Sequence, residues 1–130
     1  MPDGKYLVAA LLVFVAKGDG NISEQETSEM MDLINDHFRI GSGESLALLT
    51  GALEDMAEKS DFEQTLNGLS RALSVAEKED IALMMLKVVA ANGRKDAEEM
   101  EKLRVAADII EIPADALHRA YDRYFEETQT

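Results

Sequence analysis

Acidic residues surround two glycine-containing turns, and carboxylates of this kind bind hard divalent cations. The first turn lies in the segment Gly18–Glu26, GDGNISEQE, and the second lies in Ala91–Glu99, ANGRKDAEE. The candidate ligands are four carboxylates, Asp19, Glu26, Asp96 and Glu99. Their oxygens suit calcium, magnesium or manganese. If the two turns converge in space, the sequence predicts one oxygen-rich divalent cation site.

The same carboxylates have simpler local roles. Glu26 follows Ser23 at the spacing of a capping box, and Glu99 follows Asp96 at the same spacing. Asp19 favours turn geometry by itself. Capping boxes are a common way to satisfy the unpaired donors at a helix start. Helix capping is therefore the simpler interpretation of these acids, and metal binding is the more specific one.

The turns do not match the calcium-binding loop of an EF-hand. Aligning Gly20 with the loop glycine places Ile22 and Glu26 at suitable positions. The same alignment puts Val15 and Lys17 where the first two ligands belong, and the second copy fits less well. The sequence therefore excludes an EF-hand and leaves a capped turn with neighbouring acids.

The elements that position the acids repeat along the chain. An apolar segment precedes each turn, Tyr6–Ala16 before the first and Ile81–Ala91 before the second. An acidic amphipathic helix is predicted after each turn. The second copy follows 73 positions after the first, from Gly20 to Gly93. The pattern predicts an internal duplication of a helix–glycine turn–helix hairpin.

Helical periodicity extends over the rest of the chain, and no segment alternates with a period of two. We predict an all-α fold, a single compact bundle of about seven helices, with residues 1–130 forming one domain. Two further capping boxes are expected, Ser60 with Glu63 and Ser74 with Glu77. The third helix is expected to bury Leu46, Leu49, Leu53 and Met56. The last helix is expected to face the core with the side chains of Leu117, Ala120, Tyr121, Tyr124 and Phe125.

Composition excludes several classes of function. The chain has no cysteine, which removes disulfides, thiolate zinc sites and a cysteine nucleophile. A net charge of −13 repels nucleic acids and anionic membrane surfaces. The first apolar segment is too short to cross a bilayer and lacks the features of a signal peptide, so we expect a cytoplasmic protein without membrane insertion. No nucleophile–base set is recognisable, so we expect no enzymatic activity.

The repeated pattern of an apolar helix, Asp-Gly-x-Ile-x-x-x-Glu and an amphipathic helix resembles the TerB-like tellurite-resistance family. The resemblance extends from about Tyr6 to Phe125, although Asn92 stands where the family usually has aspartate. It implies a bundle of two related hairpins and a non-enzymatic role in resistance to tellurite and other chemical stress. It also implies metal binding through acidic residues and a membrane-associated protein partner. The alternative is a metal-free adaptor whose groove receives a partner helix.

Overall fold

Seven α-helices account for most of the residues that the structure describes. The computed structural model describes residues 4–17, 22–91 and 97–128, and those residues form helices and no strand. The helices are α1 (Gly4–Ala16), α2 (Glu24–Phe38), α3 (Ser42–Glu58), α4 (Phe62–Ser70), α5 (Val75–Ala90), α6 (Ala97–Ile109) and α7 (Ala114–Thr128). The prediction of an all-α bundle of about seven helices is confirmed. Within the described ranges, no helix combines the length and the apolar character that crossing a membrane requires.

Helices α1 and α5 form the centre of the bundle. Every residue from Leu7 to Ala16 is buried, and so is every residue of α5 from Ile81 to Leu86. The two helices pack against each other and also against most of the other helices. A helix that is apolar on all sides has to be buried on all sides. The sequence pattern therefore identified both central helices.

The contacts between helices follow a pseudo-twofold arrangement. Helix α1 packs most extensively on α3, and α5 packs most extensively on α7. Helix α1 also contacts α6, as α5 contacts α2. On α2 and α6, two pairs of positions 73 residues apart are buried alike, Met30 with Leu103 and Ile34 with Ala107. The duplicated unit therefore comprises three helices, α1–α3 and α5–α7. The turns at Gly20 and Gly93 lie outside the described residues.

The most extensive helix pairs pack partly through small side chains, which corrects two sequence predictions. The buried residues of the outer helices are Ser45, Leu49 and Ala52 on α3 and Ala116 and Ala120 on α7. Leu46 and Phe125 were predicted to face inward, but they are 50% and 43% exposed. Small side chains allow two helix backbones to approach closely, so the contact face is centred on them rather than on the largest apolar residues.

The capping predictions met different outcomes. The box of Ser74 with Glu77 is confirmed, with the Ser74 backbone N–H 2.8 Å from Glu77 Oε1 and the Glu77 N–H 3.1 Å from Ser74 Oγ. The box of Ser60 with Glu63 is wrong. Helix α4 begins after Asp61, and that residue makes no side-chain capping hydrogen bond. Helix α4 thus begins at a buried side chain, Phe62, which is 5% exposed, without a side-chain cap.

Candidate metal centre

The end of α1 lies against the start of α6. The Nζ atom of Lys102, in the second turn of α6, is 4.7 Å from the centroid of the Phe14 ring, in the last turn of α1. A cation over an aromatic face is attracted by the negative potential of the ring. The contact therefore places the helix that follows the second turn beside the helix that precedes the first.

The equivalent contact between α5 and α2 has different chemistry. Glu29 on α2 and Lys87 on α5 are the positions equivalent to Lys102 and Phe14, 73 residues apart in each case. Burial raises the pKa of Glu29, as does the negative charge of Asp32 to a smaller extent, while the charge of Lys87 lowers it. Lys87 is therefore close enough to act on Glu29. The start of α2 lies beside the end of α5.

The helices on either side of residues 18–21 and of residues 92–96 therefore meet at the same end of the bundle. Helices α1 and α2 are joined through residues 18–21, and a five-residue step from Lys17 to Ile22 spans at most about 18 Å. Helices α5 and α6 are joined through residues 92–96. Two helix ends and two helix starts meet there. The helices that flank residues 18–21 and 92–96 therefore come together at one end of the bundle, whereas the two turns themselves lie outside the described residues.

Glu26 is a buried carboxylate at this end. Its side chain is 1% exposed. Oε1 accepts a hydrogen bond of 2.9 Å from the Ser23 backbone N–H, and the Glu26 N–H donates to Ser23 Oγ at 3.0 Å. The predicted capping box is confirmed. The second oxygen, Oε2, is also buried, and no described residue provides it with a hydrogen-bond partner. The box therefore explains one oxygen of the carboxylate and leaves the other unexplained.

Glu99 occupies the equivalent place in the second half. It is the third residue of α6, as Glu26 is the third residue of α2, and it is 0% exposed. Both carboxylates lie in first helical turns, where the helix dipole favours a negative charge. The sequence therefore selected two glutamates that the fold buries at equivalent positions of one end of the bundle.

The other two candidate ligands, Asp19 and Asp96, lie outside the described residues, and the structure does not place them. Among the residues that are described, no three His, Cys, Asp or Glu side chains form a group that could hold a metal ion. The burial of Glu26 and Glu99 is the feature that sequence reasoning missed. A local capping pattern looks the same whether its glutamate is exposed or buried.

The chain resembles a known protein family, but no individual curated protein or solved structure. The family model described as "Tellurite resistance protein TerB" matches residues 5–122, which is nearly the whole chain. No individual curated protein matches it. No solved structure matches it either. The matched range includes α1 to α6 and the first part of α7, and so covers both halves of the duplication.

Proposed function

The chain belongs to the TerB family, and we propose that it is a non-catalytic stress-response module that binds a divalent cation at the end of the bundle where α1, α2, α5 and α6 come together. The ligands would be Asp19, Glu26, Asp96 and Glu99. The cation would be calcium, magnesium or manganese, because all four ligands are hard carboxylate oxygens. The role would be resistance to tellurite and other chemical stress, exerted in the cytoplasm together with a membrane-associated protein partner.

One observation carries the metal proposal, the buried second oxygen of Glu26. A carboxylate oxygen removed from water without a partner costs free energy, and an ionised one costs more. A net charge of −13 adds to that cost by repulsion. A bound divalent cation reverses the sign of the local interaction. It would also join the two halves of the molecule, because its ligands come from both copies of the repeat.

The proposal is tested by titrating calcium, magnesium and manganese against the melting temperature at constant ionic strength, so that simple screening is removed. An ion at a hundred times its dissociation constant stabilises the fold by about 2.7 kcal/mol. For a domain of this size we expect the melting temperature to rise by about 10 °C.

The chain contains a matched control for this experiment. Ser23 with Glu26 and Ser74 with Glu77 form the same capping box, but Glu77 is exposed. The substitutions Glu26→Gln and Glu77→Gln each keep an oxygen that accepts the capping hydrogen bond. We expect Glu26→Gln to remove the ion-specific rise in melting temperature and Glu77→Gln to retain it. If no ion acts beyond matched salt, or if both variants respond like the wild type, the metal site does not exist and Glu26 is only a cap.

A further inference from the structure

Helix α7 is anchored differently from its counterpart α3. Among the described residues, α7 packs extensively on one helix, α5, whereas α3 packs on both α1 and α2. The buried residues of α7 are the small Ala116 and Ala120. Separation of α7 from α5 would therefore release the whole of α7, while the other extensive contacts between helices remain in place.

Ion pairs link α7 to α5 along one side of this interface. The Nε atom of Arg119 lies 2.7 Å from Glu79 Oε1. The Nη1 atom of Arg123 lies 3.0 Å from Glu79 Oε2 and 2.8 Å from Asp80 Oδ1. The side chain of Glu79 is 16% exposed, so its ion pairs are partly shielded from water. Helix α5 supplies the acids and α7 the arginines, and a reversal of charge on one helix can be matched by a reversal on the other.

The ion pairs that join two helices are concentrated at this interface. Lys87 of α5 lies 2.8 Å from Glu127 of α7, farther along the same two helices. Within the described ranges, one ion pair joins a different pair of helices, Lys5 of α1 with Glu44 of α3 at 3.2 Å. Complementary charges across an interface contribute more to the choice of partner than to affinity. The charges therefore make α5 selective for α7.

The connection between α6 and α7 is short and includes an unfavourable backbone conformation. It comprises residues 110–113. Glu111 has a φ of 56°, in the left-handed region that costs free energy for residues other than glycine. Pro113 has a restricted φ and disfavours a helical conformation of Ile112. Rotation at Glu111 would therefore relieve the unfavourable conformation and direct α7 away from the α5 of its own chain.

We propose that two copies of this chain exchange α7, so that the α7 of each copy packs on the α5 of the other. The contacts between α5 and α7 would be the same in the exchanged dimer as in a single chain, because only the path of residues 110–113 differs. Exchange of an identical element is for that reason a low-cost route to a dimer. Short connections under strain favour it. The partner for this surface is a second copy of the chain, and the exchange does not depend on a bound metal.

Reversal of charge on the two helices tests the exchange. The α5 variant carries Glu79→Arg and Asp80→Arg, and the α7 variant carries Arg119→Glu and Arg123→Glu. In either variant alone, like charges face each other across the interface. In a mixture of the two variants, exchange of α7 restores opposite charges at both interfaces of a heterodimer. A single chain that carries all four substitutions has opposite charges again, and circular dichroism should show that it folds like the wild type.

The mixture is examined by native mass spectrometry and analytical ultracentrifugation. The ionic strength is about 0.15 M, at which repulsion between exposed charges more than about 8 Å apart is largely screened. We expect the heterodimer to be about tenfold more abundant than the homodimer of either variant alone, because like charges across an interface oppose the wrong pairing. We also expect the wild type to form a dimer as its concentration rises, with unchanged helical content.

The equivalent interface in the first half supplies a matched control. Lys5→Glu and Glu44→Lys, in separate variants, reverse the two members of the ion pair between α1 and α3. Helix α3 is also held by α2, so a mixture of these two variants should contain no heterodimer.

Three results would overturn the proposal. The first is a mixture of the α5 and α7 variants without heterodimer, although the chain with all four substitutions folds. The second is an equal amount of heterodimer in the control mixture, because the dimer would then not arise from exchange of α7. The third is a wild type that stays monomeric at millimolar concentration.

Discussion

Replacing Tyr6 by phenylalanine removes the best-defined polar link between α1 and α3. The Tyr6 hydroxyl donates a hydrogen bond of 2.6 Å to Asp55 Oδ2. A hydrogen bond to a charged group contributes about 1.5–3 kcal/mol. Asp55 is 27% exposed and has a second partner in Lys59 at 3.4 Å, so we expect a loss at the lower end, about 1.5 kcal/mol. The melting temperature should fall by about 6 °C.

The loss should depend on pH, because both partners titrate. The hydrogen bond from Tyr6 is the main cause that holds the pKa of Asp55 below its usual range. A carboxyl group whose pKa is lower in the folded state stabilises that state. The contribution is complete when the pH lies above the pKa of the unfolded state, about 3.9, and it disappears as the pH falls through the pKa of the folded state. Burial, followed by the hydrogen bond to Asp55, raises the pKa of Tyr6. That contribution is complete below about pH 10 and is lost as the pH rises further.

The measurement is urea unfolding followed by far-UV circular dichroism in acid, at neutral pH and in alkali. The difference between the wild type and Tyr6→Phe should be largest between about pH 5 and 9 and should shrink on both sides. Tyr121→Phe is the control, because the hydroxyl of Tyr121 has no hydrogen-bond partner among the described residues and its pKa is raised by burial alone. We expect that control to change stability by less than about 0.5 kcal/mol. Equal losses in the two variants at neutral pH, or a loss that persists unchanged in strong acid, would refute the reasoning.

Two further predictions concern the packing and the backbone, and the same urea experiment checks both. Leu66→Ala should cost about 3 kcal/mol, because Leu66 is completely buried on α4, whereas Leu46→Ala should stay within about 0.5 kcal/mol, because Leu46 is half exposed. A similar cost for the two would contradict the burial that we describe. Arg39→Gly should stabilise the fold by about 0.5–1 kcal/mol, because Arg39 ends α2 with a φ of 57° that glycine adopts without strain. A destabilised Arg39→Gly would show that the side chain matters more than the backbone.

The fold was largely readable from the sequence because its strongest signals are local. The two all-round apolar helices and their 73-residue spacing identified the centre of the bundle and the duplication. What failed was the choice of contact face on the outer helices. On α3 the buried face runs through Ser45 and Ala52, while the larger Leu46 lies outside. Hydrophobic periodicity weighs side chains by size and polarity, and it does not report how closely two backbones approach.

For a related reason, the sequence predicted the caps at the candidate site but not the burial of their glutamates. The patterns Ser23–Glu26 and Ser74–Glu77 predict the same cap, and both caps form. Glu26 is nevertheless buried at one end of the bundle, whereas Glu77 is exposed. The difference comes from the packing of α2 on α1 and α5, which no local pattern contains. A carboxylate becomes a candidate ligand here only when its sequence position is combined with its tertiary surroundings.

The two halves keep equivalent helix contacts although few of their residues are identical. The contact between α1 and α6 pairs Phe14 with Lys102, and the equivalent contact between α5 and α2 has Lys87 and Glu29 at those positions. Both members of the pair differ between the two contacts, and in each contact a lysine lies near a group that attracts a cation. A change in only one member of a pair would instead place like charges side by side. Glutamate in place of Lys87 would face Glu29, and lysine in place of Phe14 would face Lys102. The contact between a helix end and the neighbouring helix start is therefore retained while its chemistry changes. For that reason the equivalence of the halves is clearer in burial and contact than in residue identity.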